Sequence, residues 1–258
     1  MITEYHRPKN LDQALSLLNR ENAKTIPLGG GTTISRLSDQ SWAVVDLQAL
    51  DLSSIMVSQN KCKIGAMTRL QDMVENTELP EGLRKAAQRE TNINLRRTAT
   101  VGGTLVTSDG TSPLLGCLLA LDAKIAWAPD EKSKYLGEWL TDERKNTPGK
   151  LITALEFNIP EGVKYDDIAR SPEDKPQVFV VMAKWSTGEI RVVFGGCGKS
   201  PMLGSDGSKN LVSDIFNRYS YAASMERNGY SEYQQSAIKT LIDRLVPQTG
   251  IFGGKGLL

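Results

Sequence analysis

Apolar positions along this chain form two patterns: residues three and four positions apart, as in helices, and short continuous runs, as in strands. Between residues 10 and 20 they lie three and four positions apart, which predicts an amphipathic helix capped by Asn10 or Asp12. The same spacing predicts helices around Leu70, Met73 and Val74, over 81–89, from Ser112-Pro113 to Leu121, and over 230–245. Short apolar runs predict strands over 24–28, 42–47, 61–65, 124–128, 151–159, 178–184 and 190–194. The close order of helix, strand, glycine segment and strand near the start of the chain indicates a small mixed α/β unit.

A polar segment divides the chain. Residues 161–177 contain Pro172 and Pro176, which marks this segment as a domain boundary. After it, the turn Ser186-Thr187-Gly188 joins two predicted strands into an antiparallel hairpin. We therefore expect domains over 1–160, with subdomains of about 1–55 and 56–160, and over 161–258. The glycine-rich tail 250–258 is expected to be loose or docked on another surface.

The balance of charges argues against two classes of binding function. The chain has 31 basic and 30 acidic residues, which argues against a broad nucleic-acid or membrane-surface footprint. It shows neither a basic-then-apolar leader nor a run of the ~20 apolar residues that span a bilayer. We therefore expect a cytoplasmic protein with no membrane span and no nucleic-acid partner.

Reactive side chains are few. His6, the single histidine, is interpreted as a surface or strand residue, which leaves no material for a Ser-His-Asp mechanism or a multi-histidine zinc site. Cys62, Cys117 and Cys197 stand far apart, whereas a cysteine-only iron–sulfur cluster needs four thiolates. We expect no catalytic side chain and no metal ligand in this chain, and a cofactor to carry any chemistry.

Two glycine segments provide the candidate cofactor chemistry. The first follows the predicted strand 24–28, and its glycines let backbone N–H groups approach an anion such as phosphate. Its residues are Pro27, Leu28, Gly29, Gly30, Gly31, Thr32, Thr33 and Ile34. The second is expected to be another such loop after an apolar strand end, with Thr100, Gly102, Gly103, Thr104 and Thr107. Two such loops suit a pyrophosphate, which needs donors from more than one side.

Neither segment carries a common nucleotide fingerprint. A Walker loop requires Lys and then Ser or Thr after its last glycine, but Gly31 is followed by Thr32-Thr33. The Gly-Lys-Ser of residues 198–200 lacks the first glycine of that motif, because Val193 stands there. No G-x-G-x-x-G is present at either segment, so we do not expect a nicotinamide cofactor bound in the Rossmann manner.

Longer stretches resemble one family. The chain resembles the FAD-binding (medium) subunits of molybdenum hydroxylases, such as the flavoprotein subunits of aerobic carbon monoxide dehydrogenase and bacterial xanthine dehydrogenase. The stretches that carry the resemblance are Tyr5–Pro8, Val45–Leu47 and Arg96–Gly103, and the last of them continues to 121–124. The resemblance covers nearly the whole chain. It implies an α+β fold in two parts: an FAD-binding domain of the vanillyl-alcohol-oxidase/PCMH type, then a smaller α+β domain with an antiparallel sheet and helices.

The resemblance also implies roles and partners. Residues 27–34 would wrap the FAD pyrophosphate from one side, the second segment would approach it from the other and reach the ribityl chain, and Leu155 would lie against the flavin or adenine ring. Substrate would be hydroxylated at a molybdenum cofactor in a large subunit. Electrons would pass through the 2Fe–2S clusters of a small subunit to FAD and then to an external acceptor, in a heterotrimer or a dimer of heterotrimers.

The chain departs from the family at three positions. Thr104 stands where relatives carry Asn, and Pro113 stands where they carry an Asp that hydrogen-bonds the ribityl chain. Asp109 is the candidate replacement for that carboxylate. Asp166 falls where a basic residue is expected, with Lys164 close by. Two alternatives therefore stay open: a self-contained flavin oxidoreductase of the same superfamily, and a non-catalytic scaffold subunit that has lost FAD.

Overall fold

Three sheets with helices around them make up the described chain. The computed structural model describes residues 2–21, 24–34, 41–130, 132–142, 149–171, 173–207 and 224–245. The mixture of helices and largely antiparallel sheets confirms the α+β class. The tail 250–258 lies outside the described residues. Within those residues, no helix is both long and apolar enough to cross a membrane.

The first sheet is parallel, with the order β1-β3-β2. Asn10 accepts a hydrogen bond from Gln13 N at 2.9 Å and so caps the first helix, as predicted. That helix buries Ala14 in a small cluster with Val45 and Leu47. The elements of this part are β1 (Ile2–His6), α1 (Leu11–Leu18), β2 (Thr25–Leu28) and β3 (Trp42–Asp46).

The second sheet has five strands in the order β4-β5-β8-β6-β7, and each neighbouring pair is antiparallel. Its strands are β4 (Ile55–Ser58), β5 (Lys61–Gly65), β6 (Lys124–Ala128), β7 (Lys134–Tyr135) and β8 (Leu151–Asn158). Its helices are α2 (Leu70–Glu75), α3 (Glu81–Glu90), α4 (Ile93–Arg96), α5 (Val101–Thr107), α6 (Pro113–Ala120) and α7 (Leu136–Asp142). Pro113 occupies the first turn of α6 after the cap Ser112, as predicted.

The third sheet is antiparallel, with the order β12-β11-β10-β9. The predicted hairpin is confirmed as β10 (Val178–Lys184) and β11 (Ile190–Gly195). The remaining elements are β9 (Gly162–Ile168), β12 (Met202–Gly207) and α8 (Glu232–Leu245). Strand β9 lies inside the polar segment 161–177, where no strand was predicted. The division of the chain at residue 160 stays a prediction.

Helix α6 joins the second and third sheets. All of its residues are buried, and it packs against β10 and β11 as well as against α3. A Cβ added at Gly116 would lie 2.4 Å from Cε2 of Phe179, so only glycine permits this close approach. The main hydrophobic cluster therefore runs from β5 and β8 through α6 into β10, and it holds the segment after α5 in place.

Candidate cofactor site

The first glycine segment leaves the parallel sheet at the end of β2. Leu28 O still accepts a ladder hydrogen bond from Leu47 N at 3.1 Å, and the backbone then turns with Gly31 at φ +70°. From residue 29 to residue 33, no backbone N–H donates a hydrogen bond to any residue that the structure describes. Neighbouring backbone N–H groups without such partners can bind an anion.

The first segment packs directly on residues 98–100. A Cβ added at Gly30 would lie 1.8 Å from Thr98 O, and one added at Gly29 would lie 2.7 Å from Thr100 Oγ1. Both contacts are shorter than any side chain tolerates, so these glycines are required for contact with the chain itself. The structure thus brings the two predicted glycine segments together. Gly30 is therefore required by its contact with Thr98, whether or not a ligand is bound.

The second glycine segment is helical, and its prediction as a loop was wrong. Residues Val101–Thr107 form α5, with Thr100 as the cap and Gly102 and Gly103 in the first turn. Glycine has poor helix propensity, about 1 kcal/mol below alanine, which is why the sequence pattern did not indicate a helix. Contacts with residues distant in sequence stabilise it instead.

Those contacts occupy the N–H groups of α5. Val101 N donates to Thr68 O at 2.9 Å, and Gly102 N donates to Ala66 O at 2.8 Å. Gly103 N donates to Thr100 Oγ1 at 3.2 Å, and Thr104 N donates to Thr100 O at 2.9 Å. The second segment therefore contributes shape and hydroxyl groups to the site, and its backbone donors are already satisfied.

An apolar cavity of about 310 Å³ opens between the two segments. Its volume falls within the ~300–1,000 Å³ of small-molecule sites. From the predicted site it includes Pro27, Gly29, Thr100, Gly102, Gly103 and Thr107. Further walls come from Leu47, Val106, Trp127, Leu151 and Ile152. The indole of Trp127 and these aliphatic side chains suit a planar aromatic ring.

A second, polar cavity of about 330 Å³ adjoins the first. Arg7, Arg69 and Asp72 lie on its wall, together with Gly30 and Thr98. The two cavities share three wall residues, which are Gly29, Met67 and Thr100. The first glycine segment thus stands at the junction of an apolar and a polar compartment, the position that suits the centre of a long ligand with unlike ends.

The other predicted site residues lie further from the cavities. Leu155 is fully buried in β8 within the main hydrophobic cluster, and the same strand presents Leu151 and Ile152 to the apolar cavity. Thr104 is buried on α5 and lies outside both cavity walls. Asp109 follows α5 and accepts two hydrogen bonds from Thr111. A direct role of Leu155, Thr104 or Asp109 in cofactor binding stays a prediction. Five residues of the first segment are partly exposed and lie outside both cavity walls: Leu28, Gly31, Thr32, Thr33 and Ile34.

The positions that depart from the family lie in two different places. Pro113 is buried at the start of α6. Asp166 and Lys164 lie on β9 against α8: Asp166 Oδ2 is 3.7 Å from Arg244 Nη1, and Lys164 Nζ is 3.5 Å from Leu245 O. Both β9 side chains are remote from the glycine segments. Neither arginine of the polar cavity was predicted, because β1 and α2 bring them there from distant parts of the sequence.

Comparison with known proteins agrees with this geometry. The chain is 26% identical over 271 residues to the glyceraldehyde dehydrogenase medium chain of Sulfolobus acidocaldarius, covering 92% of this chain and 94% of that one. It is 23% identical over 275 residues to the 6-hydroxypseudooxynicotine dehydrogenase complex subunit alpha of Paenarthrobacter nicotinovorans, covering 93% and 92%. A chain of a Cu,Mo-CO dehydrogenase structure superposes with a TM-score of 0.76 at 20% identity, covering 95% and 96%, which shows the shared fold.

The fold and site together define a flavoprotein component of an oxidoreductase. Residues 1–161 match the family model described as "FAD binding domain in molybdopterin dehydrogenase". The match covers more than half of the chain, and the chain belongs to that family. The expected class, an FAD-binding medium subunit of the molybdenum hydroxylase type, is thereby confirmed. FAD fits the residues present, because N–H donors without described partners meet an apolar cavity at Gly29.

Proposed function

We propose that this chain is the electron-transfer subunit of a multi-subunit molybdenum hydroxylase. In that role it passes electrons from the iron–sulfur clusters of a small partner to an external acceptor. The observation that carries the proposal is the state of the first glycine segment. The N–H groups of residues 29–33 are free of described partners in a chain that belongs to an FAD-binding family.

The residues of this chain have separable tasks in the proposed site. The N–H groups of residues 29–33 donate to the pyrophosphate oxygens of FAD, while Arg7 and Arg69 in the adjoining cavity offset its negative charge. The apolar walls around Trp127 and Ile152 exclude water from one ring system. The chemistry that FAD supplies when bound is the acceptance and release of electrons.

Substrate oxidation is assigned to other subunits. Burial raises the pKa of the Cys62 thiol to about 12 and also raises the pKa of Cys117 and of Cys197, which disfavours the thiolate form of all three. His6 Nε2 lies 2.8 Å from Glu4 on the surface, away from both cavities.

Relatives are named as the medium chain or subunit of a dehydrogenase, which supports partners in the form of a small iron–sulfur subunit and a large molybdenum subunit. We propose a heterotrimer, or a dimer of heterotrimers, in the cytoplasm.

The test uses two preparations: the native complex purified from its source, and this chain purified alone. The proposal expects a yellow isolated chain with one FAD per polypeptide, and copurification with an iron–sulfur subunit and a molybdenum subunit. A native complex that contains those partners but no FAD would favour the scaffold alternative and contradict the proposal. Turnover of NAD(P)H or substrate by the isolated chain would favour the self-contained oxidoreductase.

A further inference from the structure

A buried carboxylate lies behind the cofactor site. Glu90, the last residue of α3, is 7% exposed. Its Oε2 accepts hydrogen bonds from Ser112 Oγ at 2.7 Å and from Leu114 N at 3.1 Å. Its Oε1 accepts a hydrogen bond from Ser108 Oγ at 3.3 Å. One side chain therefore binds both ends of the segment 108–114, which connects α5 to α6.

The segment 108–114 is also tied to its other neighbours. Ser108 N donates to Thr104 O at 2.9 Å, which makes Ser108 the end of α5. Gly110 N donates to Gly198 O at 3.0 Å, and Gly110 O accepts from Gly196 N at 2.9 Å. The segment thus bridges α5 and the turn after β11. Because Thr107 precedes it and lines the apolar cavity, any shift of the segment moves the cavity wall.

Charged groups lie near Glu90 on the elements that pack against it. Lys175 Nζ lies 3.8 Å from Glu90 Oε1, and Asp109 lies on the segment itself. On its own helix, Arg89 pairs with Asp167 of β9 at 2.7 Å, next to the partly buried Tyr165. Burial raises the pKa of Glu90 above its ordinary value of 4.5, and Lys175 with the three hydrogen bonds opposes that rise.

This arrangement costs folding stability near neutral pH. A carboxyl group whose pKa is raised on folding contributes stability below its unfolded pKa, and that contribution is lost as the pH rises through the folded pKa. Above that pH an ionised Glu90 is a net cost to the fold, although each of its oxygens has donors. Retained costs of this kind are typical of positions that serve a site.

We propose that Glu90 is a positioning residue that fixes the segment 108–114 through Ser108, Ser112 and Leu114, and thereby fixes the α5 wall of the cofactor cavity. The part that concerns FAD rests on the proposed function. Ionisation makes all three hydrogen bonds charge-assisted, and protonation weakens them because a neutral carboxyl oxygen is a poorer acceptor than a carboxylate oxygen. FAD affinity should therefore fall with decreasing pH as Glu90 becomes protonated.

The test compares Glu90→Gln with Glu81→Gln in the full chain. Glu81 is on the same helix, exposed, and paired with Lys85 at 2.7 Å, so it controls for the loss of one carboxylate from α3. Hydrogen exchange at pH 7 should accelerate at least ~10-fold at the Leu114 amide in Glu90→Gln and stay unchanged in Glu81→Gln. The thermal midpoint of Glu90→Gln should equal or exceed that of wild type, which separates positioning from general damage to the fold.

The dependence of FAD binding on pH gives the second readout. The wild type and Glu81→Gln should bind FAD less tightly as the pH is lowered, whereas Glu90→Gln should bind about 3- to 10-fold more weakly than wild type at the alkaline end of the series, with a flat profile. Unchanged Leu114 exchange, or the same pH profile in all three proteins, would overturn the inference. If the wild type binds no FAD at any pH, the proposed function fails, while exchange at Leu114 and Ser108 still decides whether Glu90 holds the segment.

Discussion

The two glycine segments of this protein have similar compositions but differ in the hydrogen bonds that they make with the described residues. In the first, the N–H groups of residues 29–33 have no acceptor among the described residues. In the second, the N–H groups of residues 101–104 all donate within the chain, to Ala66, Thr68 and Thr100. A glycine pair before threonine therefore accompanies a close backbone approach in both places, but only the first segment has N–H groups without an acceptor among the described residues.

The difference follows from where each segment emerges. The first leaves a parallel strand at the edge of a small sheet and turns away from it at Gly31. The second begins beside β5 and α2, where Arg69 and Thr100 form an isolated bridge that sets the start of α5. Since the first segment also rests on Thr98, the helical segment acts as the base on which the donor segment is held.

The largest expected effect comes from separating the two segments. In Gly30→Ala the new methyl group would lie 1.8 Å from Thr98 O, and backbone cannot yield to it without moving the loop. We expect a loss of ~1–3 kcal/mol in the free energy of unfolding and at least ~100-fold weaker FAD binding. Denaturant titration and flavin fluorescence measure the two quantities. Wild-type affinity in this variant would show that the contact with Thr98 is unimportant for the site.

The second prediction disturbs the backbone N–H groups of the first segment without a clash against Thr98. Gly31→Ala has free space around its Cβ apart from Leu28 Cδ1 at 3.5 Å, but its φ of +70° is strained for alanine. Gly188→Ala in the β10–β11 turn, with φ +87° and no neighbour within 4 Å, is the matched control. Both variants should lose ~1–2 kcal/mol of stability, whereas only Gly31→Ala should bind FAD ~10-fold more weakly. Equal FAD affinity in the two variants would remove the first segment from the binding site.

A smaller effect is expected in the helical segment. A Cβ at Gly102 would meet Ala66 Cβ at 3.0 Å and Ala66 O at 3.1 Å, so a slight shift accommodates it. The helix gains ~1 kcal/mol from replacing glycine by alanine, which offsets the packing cost. Gly102→Ala should therefore keep wild-type stability within ~1 kcal/mol and lose about 3-fold in FAD affinity. Calorimetric titration checks both, and a loss larger than that of Gly31→Ala would reverse the ranking of the two segments.

The smallest effect concerns a hydroxyl group on α5. Thr107 Oγ1 donates to Gly103 O at 2.9 Å, and Thr107 lines the apolar cavity. Thr107→Val keeps the shape of the side chain and removes this hydrogen bond, at a cost of ~0.5–1.5 kcal/mol. FAD affinity should fall about 2-fold. A loss of more than ~10-fold would mean that hydroxyl groups, and not the backbone donors of the first segment, carry the affinity.

Local sequence patterns predicted the elements whose stability is local. The cap Asn10, the start of α6 at Pro113 and the β10–β11 hairpin all follow from residues within a few positions of one another. Strand β9 was missed because it lies at the sheet edge, where polar residues such as Asp166 and Asp167 are tolerated. Helix α5 was missed because its first hydrogen bonds come from residues more than 30 positions earlier.

For the cavity walls, too, only the features with a local sequence signal could be predicted. The first glycine segment was predicted as part of the site from its three glycines, a local signal, and the structure places Gly29 on the wall of both cavities. Trp127 and Ile152, which come from β6 and β8, carry no local mark that distinguishes them from core residues, and only the pairing of those strands places them beside Gly29. Glu90 lies one residue beyond the predicted helix 81–89, and only the fold places it against Ser112.

Amide hydrogen exchange of the full chain with and without FAD tests the central claim most directly. Donation from the first segment to a pyrophosphate predicts that the amides of residues 29–33 exchange at least ~10-fold more slowly when FAD is bound, while those of residues 101–104, which are already bonded, change by less than ~3-fold. Protection of residues 101–104 without protection of residues 29–33 would contradict the account.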